Sequence, residues 1–413
     1  MRAPKADVVR GVFWTGGEKV LVQAVALAQY LILARLLAPS DFGHVAMLGV
    51  FFAIGGELAD AGLSRAFVVY GGPVRRIWLW NVGFAAGLYL LLGCASPLIA
   101  AFYGVPDLVR LVWALGLTTV IGAAGSVYGA WLTRAMRFRE LAWTNVARTV
   151  GGAAVGIALA GWGLGVWALV GIGLATAVIR TALLGWFARR LASPPAPPSA
   201  APPRFGTLLS YGWKATASSL LCALSDNCAY LLVGKAATPA DVGLFERGNR
   251  FAFLPVNTVM DALSRVMFPR FSELRRAGGR LRASALSFAA LGCALSWPCL
   301  LALGVWAPEA VRLVLGANWL GCVPYLRVLL LGYALLPLVH VSANLLMGGG
   351  RSDLALKADA LKTPVLVGLL LVGIRWGVLG VCWAKVVGNV VEAGVNALFA
   401  ANMFRDASRG GPS

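Results

Sequence analysis

Long apolar runs follow one another along almost the whole chain, and they restrict the fold more than any other feature of the sequence. Each run has about 20 or more mostly apolar residues, which is the length that a helix needs to cross roughly 30 Å of hydrocarbon. In total, 59% of the residues are hydrophobic and only 13% are charged. The runs lack the alternation of membrane β-strands, and a helix satisfies its own backbone in lipid. We therefore predict an all-α integral membrane protein with about 12 transmembrane helices.

An internal repeat divides the predicted helices into two sets of six. LARLLAPSDFG at residues 33–43 returns in weaker form as LVGKAATPADVG at 232–243, with an offset of 200 positions between aligned residues. Pro39 is expected to end the first helix, and Ser40 or Asp41 to cap the second. A repeat of this length predicts two similar lobes, as in many transporters. The predicted lobes are residues 1–190 and 207–413, joined by a proline-rich cytoplasmic linker at 191–206.

The basic charge of the chain has a topological meaning. The net charge is +19, and most of the arginines lie in alternate connections between the apolar runs. By the positive-inside rule, both termini are predicted to be cytoplasmic. The first apolar run has no small-residue cleavage site after it, so we expect it to remain as a helix. We expect no nucleic-acid partner.

Cysteine and histidine give little support for catalysis or metal binding. The seven cysteines form no C-x-x-C pair and lie in or beside apolar runs, where free cysteine packs as a small apolar residue. The two histidines, His44 and His340, are too few for most histidine-based sites. We therefore predict no catalytic residue, no metal site and no cofactor.

Ionisable side chains inside predicted spans are the candidate site residues, because such groups cost several kcal/mol in hydrocarbon unless they face water or the bundle interior. On the last predicted helix, polar residues recur at helical spacing and form one stripe, on which Lys385 is the basic group nearest to Glu392. Polar positions on the first two helices of each lobe predict a hydrated cavity between the lobes. The candidates for binding substrate are Lys19, Lys214, Arg247, Arg250, Lys385 and Asn389, and those for coupling to an ion are Glu18, Asp60, Asp226 and Glu392.

Structural roles remain open for several of these candidates. Glu18, Lys19 and Lys214 lie about two turns from a predicted cytoplasmic helix end, from which long side chains also reach the interface. Arg247 follows Glu246 directly and could form a structural ion pair with it. Arg250 and Lys385 are the deepest basic residues, so the hypothesis of substrate binding is sharpest for them.

The segments ARLLAPSDFG and ELADAGLSRAFV, with their weaker copies in the second half, resemble the Wzx-type polysaccharide-flippase branch of the multidrug, oligosaccharidyl-lipid and polysaccharide exporter superfamily. The resemblance covers the chain from about Val9 to Phe404. It implies two six-helix lobes around a central cavity and alternating-access movement of an undecaprenyl-diphosphate-linked oligosaccharide across the bacterial inner membrane. The implied partners are the lipid-linked oligosaccharide, membrane lipids, and a polysaccharide polymerase with its export machinery. Arg250 and Lys385 are then expected to contact the diphosphate.

Two alternatives belong to other functional classes. A cation-coupled multidrug exporter of the same superfamily is expected to have a cavity dominated by acidic residues, whereas basic residues here match or outnumber the acidic ones. A membrane glycan polymerase or transferase usually needs a large outer loop or a histidine-bearing site, and all the predicted outer loops are short.

Overall fold

The computed structural model describes residues 5–60, 62–190, 205–276, 281–348 and 352–408, and these residues are almost entirely helical. No strand occurs in these ranges. The all-α prediction is therefore confirmed. Residues 191–204 of the predicted linker lie outside the described ranges, and Phe205 already begins a helix.

The first half of the chain contains seven helices in its described part. They are α1 (Lys5–Leu36), α2 (Pro39–Asp60), α3 (Leu63–Tyr70), α4 (Val74–Tyr103), α5 (Leu108–Arg134), α6 (Phe138–Gly161) and α7 (Val166–Arg189). The predicted second span corresponds to α2 and α3 together. It breaks at Gly62, whose φ of 64° lies in the left-handed region that glycine adopts without strain.

The second half contains eight helices and two short 3₁₀ turns in its described part. The helices are α8 (Phe205–Ala236), α9 (Pro239–Arg276), α10 (Leu281–Val305), α11 (Ala307–Val314), α12 (Val323–Tyr333), α13 (Leu336–Gly348), α14 (Ser352–Gly373) and α15 (Gly377–Ser408). The 3₁₀ turns are Ala317–Cys322 and Ile374–Trp376. In this half α9 continues without a break past Ala262, the residue that aligns with Gly62.

The helix boundaries reproduce the sequence repeat. Helices α1 and α8 end at Leu36 and Ala236, and α2 and α9 begin at Pro39 and Pro239, so the offset of 200 positions holds in the structure. Proline is the first residue of the following helix, where its missing N–H costs nothing, rather than the end of the preceding one. The N-cap prediction is wrong for both Ser40 and Asp41, because both lie inside α2. Asp41 is the third residue of the helix, and its carboxylate accepts a hydrogen bond of 3.0 Å from the Ala38 N–H just before the helix.

The contacts divide the chain into two compact units, Met1–Leu224 and Ser225–Ser413, which we call the N-terminal and the C-terminal unit. The division falls inside α8, whereas the lobes predicted from sequence are separated at 191–206. The predicted domain organisation therefore stays a prediction.

Helix packing follows a corresponding order within the two units. In the N-terminal unit α5 packs against α2, α4 and α7, and α6 packs against α7. In the C-terminal unit α12 and α13 occupy the position of α5, since they pack against α9, α10 and α15, and α14 packs against α15. Glycine allows the closest approaches, because a Cβ on Gly156 of α6 would lie 2.2 Å from Ile172 Cγ1 of α7.

Many of the helices are suited to a bilayer. In the described part of the chain, seven are long and apolar enough to cross a membrane, or eight if the bent pair Ala317–Tyr333 and Leu336–Gly348 forms one span. Helix α9 falls outside this set because charged and amide side chains recur along it. The chain is a multi-span helical membrane protein. If α2 with α3 and α12 with α13 each form one span and the short α11 is left out, the described part of each half has six helical segments. This is consistent with about 12 spans, and that count stays a prediction.

Candidate functional site

A cavity of about 710 Å³ lies within the N-terminal unit among α2, α3, α5, α6 and α7. Five helices that are largely apolar elsewhere bring polar side chains to it, which indicates a hydrated interior. Its polar lining residues are Glu57, Asp60, Ser64, Thr118, Thr119, Ser126, Thr133, Thr144, Asn145 and Arg180.

Asp60 is held on the cavity wall by side chains from two other helices. Ser64 of α3 donates its hydroxyl to Asp60 Oδ1. The amide of Asn81 on α4 approaches the same oxygen at 3.4 Å and donates to Ser126 Oγ on α5 at 3.1 Å. Because Asn81 is only 1% exposed, this cluster fixes the position of the carboxylate.

Glu18 bonds to α6 through an amide relay. Asn145 Nδ2 donates to Glu18 Oε1 at 2.7 Å, and Arg148 Nε donates to Asn145 Oδ1 at 3.0 Å. Lys19, the neighbouring candidate, has an exposed side chain. The relay connects α1 with α6 beside the cavity, because Asn145 also belongs to the cavity wall.

Lys385 lies at the centre of a polar network in the C-terminal unit. Its ammonium donates to Asn249 Oδ1 at 2.8 Å and lies 5.8 Å and 6.0 Å from the ring centres of Phe245 and Tyr333. Tyr333 donates to the same Asn249 oxygen at 2.6 Å, and Asn249 Nδ2 donates to the Tyr230 hydroxyl at 3.0 Å. Four helices, α8, α9, α12 and α15, therefore meet at one amide.

The acidic candidate Glu392 has a partner that the polar stripe did not predict. Lys362 of α14 donates to its carboxylate at 2.6 Å, and the two side chains are 25% and 22% exposed. The nearest basic group on the stripe, Lys385, bonds to Asn249 instead. One residue after Lys362, Thr363 forms a hydrogen bond of 2.8 Å with Ser225 of α8.

The other candidates of the C-terminal unit have different surroundings. Arg247 is 7% exposed, with its Nε 3.0 Å from Glu246 and its guanidinium carbon 5.9 Å from the Trp319 ring centre. This geometry favours the structural pairing with Glu246 over substrate binding. Asn389 is half-buried against α12, since a Cβ on Gly332 would lie 3.1 Å from its amide nitrogen.

Arg250 and Asp226 have exposed side chains. The side chain of Lys214 lies outside the described part of the chain. The shared cavity between the lobes, and the substrate and ion roles of the candidate residues, stay predictions.

Sequence reasoning missed four polar residues that the structure brings to these clusters: Asn145, Arg148, Arg180 and Lys362. The two arginines interrupt apolar helices and meet the same criterion that selected the other candidates. Lys362 also meets this criterion, because it lies inside an apolar span, whereas Asn145 is recognisable only through its partner Glu18.

Repeated helix order, several spans and polar groups inside each unit define a duplicated-lobe membrane transporter. The chain belongs to the polysaccharide biosynthesis protein family, whose model matches residues 32–324.

Two curated relatives match across most of this chain. The lipopolysaccharide biosynthesis protein WzxC of Escherichia coli (strain K12) is 24% identical over 374 residues, 89% of this chain and 75% of WzxC. The succinoglycan biosynthesis transport protein ExoT of Rhizobium meliloti (strain 1021) is 24% identical over 394 residues, 94% of this chain and 79% of ExoT.

Solved transporter structures share the fold. The lipid II flippase MurJ in an inward closed conformation has a TM-score of 0.75 at 12% identity, covering 97% of this chain and 90% of MurJ. An inward-facing multidrug resistance transporter of the MATE family has a TM-score of 0.67 at 16% identity, covering 95% of this chain and 96% of that transporter. At such identities the likeness concerns the fold alone.

Proposed function

We propose that the protein moves a lipid-linked oligosaccharide from the cytoplasmic to the outer leaflet of the bacterial inner membrane. Membership in the polysaccharide biosynthesis family, together with a polar cavity inside a set of apolar helices, carries this proposal. WzxC and ExoT, which are named for lipopolysaccharide biosynthesis and succinoglycan transport, support it. The activity is transport and not catalysis.

The physical need for such a protein is clear from the substrate. An undecaprenyl diphosphate carries negative charge, and its glycan carries many hydroxyl groups, so neither part crosses about 30 Å of hydrocarbon unaided. A cavity between two lobes would shield these groups while the lipid tail stays in the bilayer, and alternating access would move them. A polysaccharide polymerase and its export machinery would receive the product.

Arg250 carries the direct contact with the diphosphate in this proposal. Its exposed guanidinium is available for charge-assisted hydrogen bonds with phosphate oxygens. Lys385 already has neutral partners in Asn249 and two aromatic rings, so it contributes positive charge from a fixed position. Lys19, Lys214 and Asn389 remain further binding candidates, and Glu18, Asp60, Asp226 and Glu392 remain candidates for proton or sodium coupling.

A reconstituted transport assay tests the function. The full chain is placed in liposomes with an undecaprenyl-diphosphate-linked oligosaccharide, and a membrane-impermeant glycosidase reports how much glycan reaches the outer leaflet. Wild-type protein should increase that amount with time. Loss of a charged hydrogen bond to phosphate, about 1.5–3 kcal/mol, should make Arg250→Gln roughly tenfold slower or more.

Arg265→Gln on the same helix is the matched control, since Arg265 is also exposed but has no part in the proposed contact with the diphosphate. Its rate should stay close to wild type. Equal rates for Arg250→Gln and Arg265→Gln would remove Arg250 from the mechanism. Unchanged leaflet distribution with wild-type protein, combined with extrusion of a cationic dye, would favour the multidrug exporter.

The proposed topology has its own test. The positive-inside rule places both termini in the cytoplasm. Fusions of alkaline phosphatase and of a fluorescent protein to the C-terminus should give fluorescence without phosphatase activity. Phosphatase activity at that position would reverse the proposed orientation.

A further inference from the structure

Arg180 is a cation on the wall of the N-terminal cavity that the transport proposal does not use. It lies in α7, a helix long and apolar enough to span a membrane, and its side chain is exposed. No hydrogen bond or ion pair reaches its guanidinium from the described residues. The next residue, Thr181, donates to Ile121 O of α5 at 2.7 Å and so holds this turn of α7 in place.

Hydroxyl groups of the same wall are arranged as hydrogen-bond acceptors. Ser126, Thr133 and Thr144 each donate their only hydroxyl hydrogen to a carbonyl of their own helix, at 2.8–2.9 Å. Their oxygen atoms can accept from donors outside the helix, and Ser126 Oγ already accepts one such bond from Asn81 Nδ2, which leaves it one lone pair. The Asp60 carboxylate adds a further acceptor to this wall, because its hydrogen bonds from Ser64 and Asn81 both go to Oδ1.

Charge is distributed unequally around the cavity. Helix α2 contributes the carboxylates, whereas α7 contributes Arg180, and Arg148 of α6 lies close enough to Arg180 for their charges to repel. A ligand that fits both sides needs hydroxyl donors for the acceptors and an oxyanion for the arginine. A single cation would be attracted by the carboxylates of α2 but repelled by Arg180.

We propose that this cavity is a binding subsite for an acidic saccharide, with the oxyanion on Arg180 and the sugar hydroxyls on the acceptor wall. A guanidinium binds a carboxylate through paired, charge-assisted hydrogen bonds. The cavity volume of about 710 Å³ falls within the range of roughly 300–1,000 Å³ that is usual for small-molecule sites. The inference rests on the proposed function and names one chemical class of its substrate.

The oxyanion could come from a sugar carboxylate or from the diphosphate linker. The acceptor wall favours the carboxylate, because a diphosphate at neutral pH is itself an acceptor and has no hydroxyl donors for Ser126, Thr133 and Thr144. Glu57 and Asp60 repel every anion in this cavity, and they repel a doubly charged diphosphate more strongly than a single sugar carboxylate.

Calorimetric titration of the purified full chain in nanodiscs tests the subsite. The probes are a uronic-acid oligosaccharide, a neutral oligosaccharide of equal length, and inorganic pyrophosphate. Arg180→Gln should weaken binding of the acidic probe about tenfold, through loss of the charged pair, and leave the neutral probe within about twofold. Thr133→Val, which removes an acceptor at nearly constant shape, should weaken both saccharides.

Arg110→Gln is the matched control, because Arg110 is an exposed arginine of α5 that does not line the cavity. Its affinities should equal those of wild type, and melting curves verify that each variant is folded. Equal binding of the acidic probe by wild type and Arg180→Gln would overturn the proposal. Displacement of the saccharide by pyrophosphate would also overturn it, because the site would then belong to the diphosphate.

The transport assay separates this inference from the proposed function. If wild-type protein moves the lipid-linked glycan but Arg180→Gln binds both saccharides like wild type, the subsite fails and the function stands. If acidic saccharide binds through Arg180 but wild-type protein moves no glycan, the transport proposal fails and the subsite stands.

Discussion

In the N-terminal unit, Asp60 and Arg180 lie on the wall of a cavity, whereas in the C-terminal unit Lys385 and Glu392 bond to residues of neighbouring helices. The helix boundaries at the start of the two units nevertheless follow one repeat. Similar scaffolds therefore hold polar groups in two ways. In the first unit several polar groups line an interior space while Asn81 and Asn145 connect helices, and in the second unit Lys385 and Glu392 connect helices.

The sequence differs locally between the two units at this point of the repeat, because Asp60 aligns with the apolar Met260. In the first unit a break at Gly62 follows α2, and Ser64 of α3 donates to the Asp60 carboxylate beside the cavity. In the second unit α9 is continuous at the aligned Ala262, and Asn249 of α9 forms hydrogen bonds with residues of three other helices. Asp60 and Arg180 therefore lie beside an interior space, whereas Asn249 and Lys385 join four helices to one another.

Replacement of Asn249 by leucine should have the largest effect on stability. The substitution leaves Lys385, Tyr230 and Tyr333 without their shared partner, and each unsatisfied buried polar group costs about 1–3 kcal/mol. We expect a loss of about 3 kcal/mol or more in the free energy of unfolding. Denaturant unfolding in detergent micelles measures it.

Two control variants test whether the loss of stability is specific to the network around Asn249. Asn257→Leu on the same helix removes only a weak contact of 3.4 Å to Asp261, and Thr133→Val removes a cavity-wall hydroxyl. Both should cost less than about 1 kcal/mol. If Thr133→Val were as destabilising as Asn249→Leu, the two units would not differ in the way described.

Disruption of the ion pair between Lys362 and Glu392 should have the next largest effect on the free energy of unfolding. A double-mutant cycle with Lys362→Met and Glu392→Gln should show a coupling energy of about 1–3 kcal/mol, because the pair is direct and half-buried. The exchange Lys362→Glu with Glu392→Lys should recover part of the lost stability. Unfolding free energies of the four variants provide the cycle.

The N-terminal counterpart of this cycle uses Glu18→Gln and Arg148→Met. These charges are bridged by the Asn145 amide and do not pair directly, so their coupling should stay below about 1 kcal/mol. A coupling as large as that of Lys362 with Glu392 would contradict the distinction between the units.

Much of the fold could be predicted from local pattern. Apolar runs of sufficient length predict helices because lipid offers no other partner for the backbone, and the repeat around Asp41 and Asp241 predicts the matching helix starts. The break at Gly62 was missed because a single glycine in an apolar run is common and its left-handed φ is not encoded by periodicity.

The candidate residues show where such reasoning ends. Lys385 and Glu392 lie on one stripe seven residues apart, yet their partners come from α9 and α14. A stripe defines one face of one helix, but the partner depends on how the neighbouring helices rotate and pack. The pairing of Lys362 with Glu392 could not be predicted for this reason. Lys362 and Arg180 themselves could have been selected, because a charged residue in an apolar span is itself a signal.

Substitutions in the capping turns before α2 and α9 should have the smallest effect on the free energy of unfolding. These two turns are also where the units resemble each other most closely. Thr238 donates its backbone N–H and its hydroxyl to Asp241 Oδ2, at 3.2 Å and 2.7 Å, and accepts from the Asp241 N–H at 3.3 Å. Ala38 donates its backbone N–H to Asp41 Oδ2 at 3.0 Å and accepts the Asp41 N–H with its carbonyl oxygen at 3.1 Å, but it has no side-chain hydroxyl to add a third bond. Thr238→Ala should therefore lower the unfolding free energy by about 0.5–1 kcal/mol, and Ala38→Thr should raise it by a similar amount or less.

Ala38→Val separates the hydroxyl from the added bulk, since valine has nearly the shape of threonine without an acceptor. Thermal melting of the purified variants should rank Ala38→Thr above wild type and Ala38→Val below it. Equal melting temperatures for the threonine and valine variants would mean that the two bonds between Ala38 and Asp41 already satisfy the turn. The two repeats would then differ in sequence at this position without differing in stability, and the divergence between the units would lie in the helix interiors alone.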